Sequence, residues 1–416
     1  MVDFNSFTLQ NGLRVFVHED HDTQIAAVNI LYDVGSRDED ENKTGFAHLF
    51  EHLMFGGSVN IPSYDEVLQN VGGENNAFTS NDITNYYLTL PANNLETGFW
   101  LESDRMLNLS LNSKVLEVQR NVVIEEFKQR YLNQPYGDAW LKLRPLAYKV
   151  HPYQWSTIGK DISHIEQAEM EDVKGFFNKF YNPTNAIMVV AGNVDTNEVE
   201  ALSIKWFEPI PAGQKYSRNL PVEPSQNEER RLVYEADVPL DSIFKTYHMG
   251  ARMDDDYMSC DLLGDILGRG KSSRLYDELV KKKQMFNSIQ AYVTGSFDPG
   301  LMVINGNLNP GYNLDQGDEA IQSIISDILS NGVESDELEK VKNQAEATIV
   351  FSEVELLNKA MNIAIGAAAG DPDLINKELE IIRATDMSSV VHSAQRILVP
   401  ENCSTLYYKA NSNTNA

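Results

Sequence analysis

Residues 48–52 read His48-Leu49-Phe50-Glu51-His52, a run that restricts both the local structure and the chemistry of this chain. Positions i and i+4 share one face of a helix, so the two imidazoles can approach a single metal ion. Glu51, just before the second histidine, can point at a water held in the metal's open position. The order H-x-x-E-H is the inverzincin arrangement, the reverse of H-E-x-x-H. The flanking residues predict the helix this chemistry needs. Thr44 is the candidate N-cap, Phe46, Leu49, Phe50, Leu53 and Met54 recur at helical spacing, and Gly56-Gly57 ends the run. The competing reading makes both histidines hydrogen-bonded core residues and leaves Glu51 on a solvated face. Burying two ring nitrogens and a carboxylate on an apolar helix with no charge to bind is costly, which argues against it.

A catalytic zinc site usually takes three protein ligands and a water. A second helix, predicted over Ser113–Tyr131, carries candidates for the third ligand. Val115, Leu116, Val118, Val122, Val123 and Phe127 form its expected buried stripe, and Gln119, Val122 and Glu126 share a side at i, i+3 and i+7. Glu126 could reach the histidines from a neighbouring helix, although spacing alone does not place it there.

Longer stretches resemble the pitrilysin and mitochondrial processing peptidase family. Val34-Gly35-Ser36-Arg37-Asp38-Glu39 and Thr44-Gly45-Phe46-Ala47 lead into HLFEHLMFGGS as they do in that family. Gly72 to Ser80, with its NAFTS run, resembles the family's active-site edge strand, and RNVVIEE its third-ligand helix. His151-Pro152-Tyr153, Ile158-Gly159, Phe180-Tyr181-Asn182-Pro183 and Val190 to Val194 fit the rest of its first domain. The resemblance implies one Zn2+ per chain, with His48, His52 and Glu126 as ligands and Glu51 as general base. Glu125, about 100° away around the helix, is the second choice for the third ligand. Asn76, Ala77, Phe78 and Thr79 would pair with an extended peptide substrate.

Two departures from the family pattern bear on function. Where the family carries a second Glu behind the ligand, this chain has Gln119, which keeps a hydrogen bond but brings no charge. The segment Gly268 to Leu279 matches the family's glycine-led stretch, but Val280 and Asn287 stand where the family keeps an Arg and a Tyr over the substrate carbonyl. The resemblance therefore implies the zinc-bearing subunit of a heterodimer whose zinc-less homologue supplies that pair, or else a homodimer. The alternative is a non-catalytic scaffold or assembly subunit of the same fold.

With 416 residues the chain exceeds one ordinary core. The proline- and charge-rich stretch 211–231 is the expected linker between a zinc-bearing domain 1–210 and a metal-free domain 232–416. Strands are predicted over Phe7–Leu9, Leu13–His18 and Ala26–Tyr32, and again over Leu232–Ala236 and Ile243–Gly250. Combined with the resemblance, these predict an α+β protein of two homologous αβ domains, each a mostly antiparallel sheet packed with helices. Cys260 and Cys403 have no metal or redox spacing and are expected to be buried. A net charge of −27 argues against nucleic acid as a partner, because phosphates would be repelled. No signal peptide or membrane-length apolar run is visible, so a cytoplasmic protein with no membrane association is expected. The tail Lys409–Ala416 is expected to be unstructured.

Overall fold

Among the described residues, eleven strands carry the architecture: β1 (Asn5–Thr8), β2 (Arg14–Glu19), β3 (Ile25–Tyr32), β4 (Glu74–Thr79), β5 (Thr84–Pro91), β6 (Ala186–Gly192), β7 (Arg230–Ala236), β8 (Ser242–His248), β9 (Phe286–Val293), β10 (Leu301–Leu308) and β11 (Cys403–Ala410). The computed structural model describes residues 1–411. β1 to β6 form one sheet in the order β1-β2-β6-β3-β5-β4, and β7 to β11 form another in the order β7-β11-β8-β10-β9. Numbered along the chain from β2 and from β7, both sheets run 1-5-2-4-3. In each, the first and fifth strands pair in parallel and every other neighbour is antiparallel. The same unusual order occurring twice makes the second sheet a structural repeat of the first, as the two-domain expectation requires.

The strand sequences explain the layering. β6 (AIMVVAG) is buried throughout and β3 (IAAVNILY) nearly so, as central strands covered on both faces must be. β7 alternates half-buried and exposed residues, as suits a sheet margin.

The chain divides into two compact units, each built from three stretches. One comprises residues 1–128, 155–220 and 350–378; the other comprises 129–154, 221–349 and the chain from 379 onward. Within the first unit, the late helix Leu356–Ala369 packs on β3 and β6. Within the second, the early helix Ala139–Ala147 packs on β7, β8 and β11, its Ala139 and Leu143 joining Val238, Phe244, Leu406 and Tyr408 in a small core. The main core of the second unit gathers Leu262, Leu263, Ile266, Phe286, Met302 and Ile325. Cys260 and Cys403 are both buried, and burial pushes the Cys260 thiol up to about 11. Residues 211–227 form neither helix nor strand.

At the C-terminus the expectation of an unstructured tail needs correction. Lys409 and Ala410 belong to β11, where pairing with Glu235 and Ala236 of β7 extends the ladder. Residues 412–416 lie outside the described residues. Among the described residues, no helix is long and apolar enough to cross a membrane.

Candidate metal centre

The HLFEH run lies on the helix Phe46–Leu53 of the first unit. Its apolar side is fully used: Phe46, Ala47, Leu49, Phe50 and Leu53 are buried, and Phe50 stacks on Phe176 with ring centroids 4.9 Å apart. That packing fixes the helix rotation, so His48, Glu51 and His52 emerge on the less buried side.

The helix does not start as the sequence suggests. Its N-cap is Gly45, in the left-handed region at φ 88, not Thr44. A Cβ at Gly45 would lie 2.7 Å from the Ile158 carbonyl oxygen, so only glycine fits there. Thr44 is instead tied to the segment 160–164, its Oγ1 2.9 Å from His164 Nδ1 on the helix Ile162–Glu166 and accepting from Lys160 N at 2.9 Å. The capping oxygens come from Glu39, which accepts from Gly45 N at 2.9 Å and Ala47 N at 2.8 Å. Glu39 sits six residues before Gly45, a spacing that no local capping rule covers. Burial pushes its carboxyl up to about 8, against the two backbone N–H bonds, which favour the ionised form.

The third element is the helix Ser113–Phe127, which packs against the HLFEH helix. It ends at Phe127, four residues short of the expected Tyr131, and passes into a wider helical turn over Lys128–Leu132. Its buried residues are Leu116, Val123, Ile124 and Phe127. Val118 and Val122, expected inside, are 51% and 45% exposed. They occupy the same i, i+4 row as Glu126, so the face that carries Glu126 cannot also be the core face.

Glu126 Oε2 lies 3.3 Å from His52 Nε2 and 3.6 Å from His48 Nε2. One potential ligand atom from each of the three residues falls within 4.8 Å of the others. Zinc bonds of about 2.0–2.1 Å in tetrahedral geometry separate ligand atoms by about 3.3 Å. The two imidazoles and the carboxylate therefore suit that ion in both donor type and spacing. Glu125 points elsewhere: it pairs with Lys128 at 2.8 Å on the exposed surface. Gln119 is half-buried on the same helix as Glu126.

β4 lies at the edge of the first sheet. It pairs with β5 on one side and, among the described residues, with no strand on the other. Ala77 and Phe78 are half-buried and Asn76 is exposed. Thr79, the last residue of β4, donates its hydroxyl to Glu51 Oε2 at 2.6 Å, a contact no sequence spacing signals. Behind Glu51, burial raises the phenols of Tyr86 and Tyr181, and the nearby Glu51 carboxylate adds to the shift in both. In the second unit, Val280 is partly buried against the core and Asn287 is exposed at the start of β9.

An HxxEH helix with a carboxylate from a second helix, beside an open sheet edge, offers two imidazoles and a carboxylate to one metal ion. Comparison with known proteins gives the family. Residues 14–147 match the model of the insulinase family, peptidase family M16, and residues 167–345 match that of the "peptidase M16 inactive domain". The zinc protease PqqE of Helicobacter pylori is 32% identical over 351 residues, 83% of this chain and 79% of that protein. The crystal structure of a protease from Helicobacter pylori superposes with a TM-score of 0.93 at 29% identity, covering 98% of this chain and all of the other. The β subunit of the mitochondrial-processing peptidase of Caenorhabditis elegans is 28% identical over 226 residues, 54% of this chain and 48% of that one. The chain belongs to peptidase family M16 and has its short, two-domain form.

Proposed function

We propose that this chain is a zinc-dependent endopeptidase and the catalytic member of a two-subunit enzyme. The observation that carries the reading is the convergence of His48, His52 and Glu126 beside Glu51 and the open edge of β4. His48, His52 and Glu126 would hold one zinc ion, which when bound supplies Lewis acidity toward a water and a peptide carbonyl. Glu51 takes the proton of the attacking water on its carboxylate and passes it to the leaving amine. Asn76, Ala77, Phe78 and Thr79 pair with the backbone of an extended peptide, which gives affinity without demanding a sequence. Gln119, half-buried on the same helix as Glu126, brings an amide and no charge to the surroundings of the ligand.

The partner follows from what the second unit lacks. Neither Val280 nor Asn287 can donate a charge-assisted or phenolic hydrogen bond to a tetrahedral oxyanion. One such donor is worth about 10²–10³ in rate. A zinc-less homologous subunit with an Arg/Tyr pair would supply both, and the name of the mitochondrial relative, as a β subunit, is in keeping with that division of labour. The scaffold reading draws on the inactive-domain match over residues 167–345. Against it stands the intact set His48, Glu51, His52 and Glu126, which a scaffold has no need to keep.

The test is hydrolysis of a panel of unstructured peptides by the purified chain, alone and mixed with homologous sister subunits. Slow, zinc-dependent cleavage that rises at least tenfold with the right sister, and falls about 10²-fold or more in Glu51→Gln, is expected. No cleavage in any mixture would favour the scaffold. Full activity of the single chain, unaffected by any partner, would remove the heterodimer.

A further inference from the structure

Thr79 joins the two elements that the proposed mechanism needs. Its Oγ1 donates to Glu51 Oε2 at 2.6 Å, a length expected of an O–H bonded to a carboxylate. The hydroxyl comes from the end of the edge strand, and the carboxylate comes from the HLFEH helix. Thr79 itself has little freedom. It pairs with Thr84 of β5, and the turn that follows is closed by Ser80 N donating to the Ile83 carbonyl at 2.8 Å. Ser80 Oγ also accepts from Asp82 N and Ile83 N, both at 3.0 Å. Thr84 anchors the next strand by donating to the Val34 carbonyl at 2.9 Å. A β-branched side chain on so fixed a backbone has a narrow choice of χ1, and its hydroxyl is correspondingly well aimed.

We infer that Thr79 is a positioning residue for Glu51, so that β4 both receives the peptide and aims the base. A glutamate has three rotatable bonds, and a general base must lie within hydrogen-bond reach of the water it deprotonates. The Thr79 hydroxyl fixes the plane of the Glu51 carboxylate and leaves less orientation to be lost in the reaction. A peptide strand that adds to β4 stiffens the strand, and through Thr79 it steadies Glu51. Productive base orientation is thereby coupled to occupancy of the sheet edge. This inference rests on the reading of Glu51 as the base and gives Thr79 a role beyond peptide contact.

The experiment compares the full chain with Thr79→Val, which keeps shape and loses the hydroxyl, with Thr79→Ser, which keeps the hydroxyl, and with Glu51→Gln. Thr79→Ala provides a second hydroxyl-free variant should the valine disturb folding. Zinc content is read for each. Thr79→Val is expected to lower kcat about 10- to 100-fold with KM within about threefold and zinc content unchanged. Thr79→Ser should recover most of kcat. In a Glu51→Gln background Thr79→Val should add no further loss, because a positioning residue acts through its partner. A crystal structure of Thr79→Val should show the Glu51 carboxylate in more than one orientation. Unchanged kcat in both hydroxyl-free variants, a rise in KM alone, or a full additional loss in the Glu51→Gln background would overturn the inference while leaving Glu51 as the base. Parental activity of Glu51→Gln itself would overturn the mechanism and, with it, the role of Thr79.

Discussion

Replacing Glu39 by Gln should make the variant gain in stability on the parent as pH rises from 5 to 8. Glu39 is buried beneath the start of the HLFEH helix, and burial holds its carboxyl up to about 8, above the ordinary 4.5. Between those values the folded chain keeps a proton that the unfolded chain has released. The folded state then binds more protons, so stability falls as pH rises through that window. The rise from 4.5 to about 8 sets a ceiling of about 5 kcal/mol on the loss. Glutamine removes this titration at a cost that does not vary with pH: its amide offers one acceptor oxygen, so one of the Gly45 and Ala47 N–H groups loses its partner. Urea unfolding of parent and variant at half-unit steps from pH 5 to 9 isolates it, because the self-repulsion of a chain with net charge −27 is nearly common to both. A variant that is less stable by the same amount at every pH would refute the reasoning. It would mean that the two N–H bonds from Gly45 and Ala47 outweigh the burial and keep Glu39 ionised throughout.

Two further substitutions test how the units are held. Gly45→Ala forces an L residue to φ 88 and pushes a Cβ to 2.7 Å from the Ile158 carbonyl oxygen, so unfolding should be easier by about 2–5 kcal/mol. An unchanged urea midpoint would show that the loop yields without cost. In the second unit, Asp318→Ala leaves the nearly buried Lys245 ammonium without the carboxylate 2.6 Å away and also removes an acceptor from Tyr407. That should cost about 3–5 kcal/mol in the same assay, and a loss below 1 kcal/mol would mean that water replaces the pair.

The parts of the fold written in local patterns were legible. β3 was readable as a strand with its bounds within one residue, and the HLFEH helix as an amphipathic segment followed by glycines. The two histidines and Glu51 could be read together because i, i+3 and i+4 spacings put them on one side. The start of the same helix was not readable, because Glu39 reaches it from outside the first turn and Gly45 is required by a contact with residue 158. Val118 and Val122 look like core residues to any hydrophobicity argument. Their exposure follows from the row they share with Glu126, which lies off the face that Leu116, Val123, Ile124 and Phe127 bury, a tertiary fact. The covering of each sheet by a helix from the distant part of the chain was equally hidden: an amphipathic helix such as Leu356–Ala369 records that it needs a sheet, not which one. The Thr79–Glu51 hydrogen bond joins residues whose local patterns, strand and helix, carry no sign of each other.

Zinc analysis of the purified chain and three single variants tests the central claim most directly. The account predicts one zinc per chain in the parent, in Glu51→Gln and in Glu125→Gln, with zinc lost from Glu126→Gln. Glu51 would then belong to the chemistry, and Glu126, 3.3 Å from His52 Nε2, would belong to the metal. A parent chain that takes up no zinc, or a Glu126→Gln variant that binds it as tightly as the parent while Glu125→Gln does not, would contradict the account.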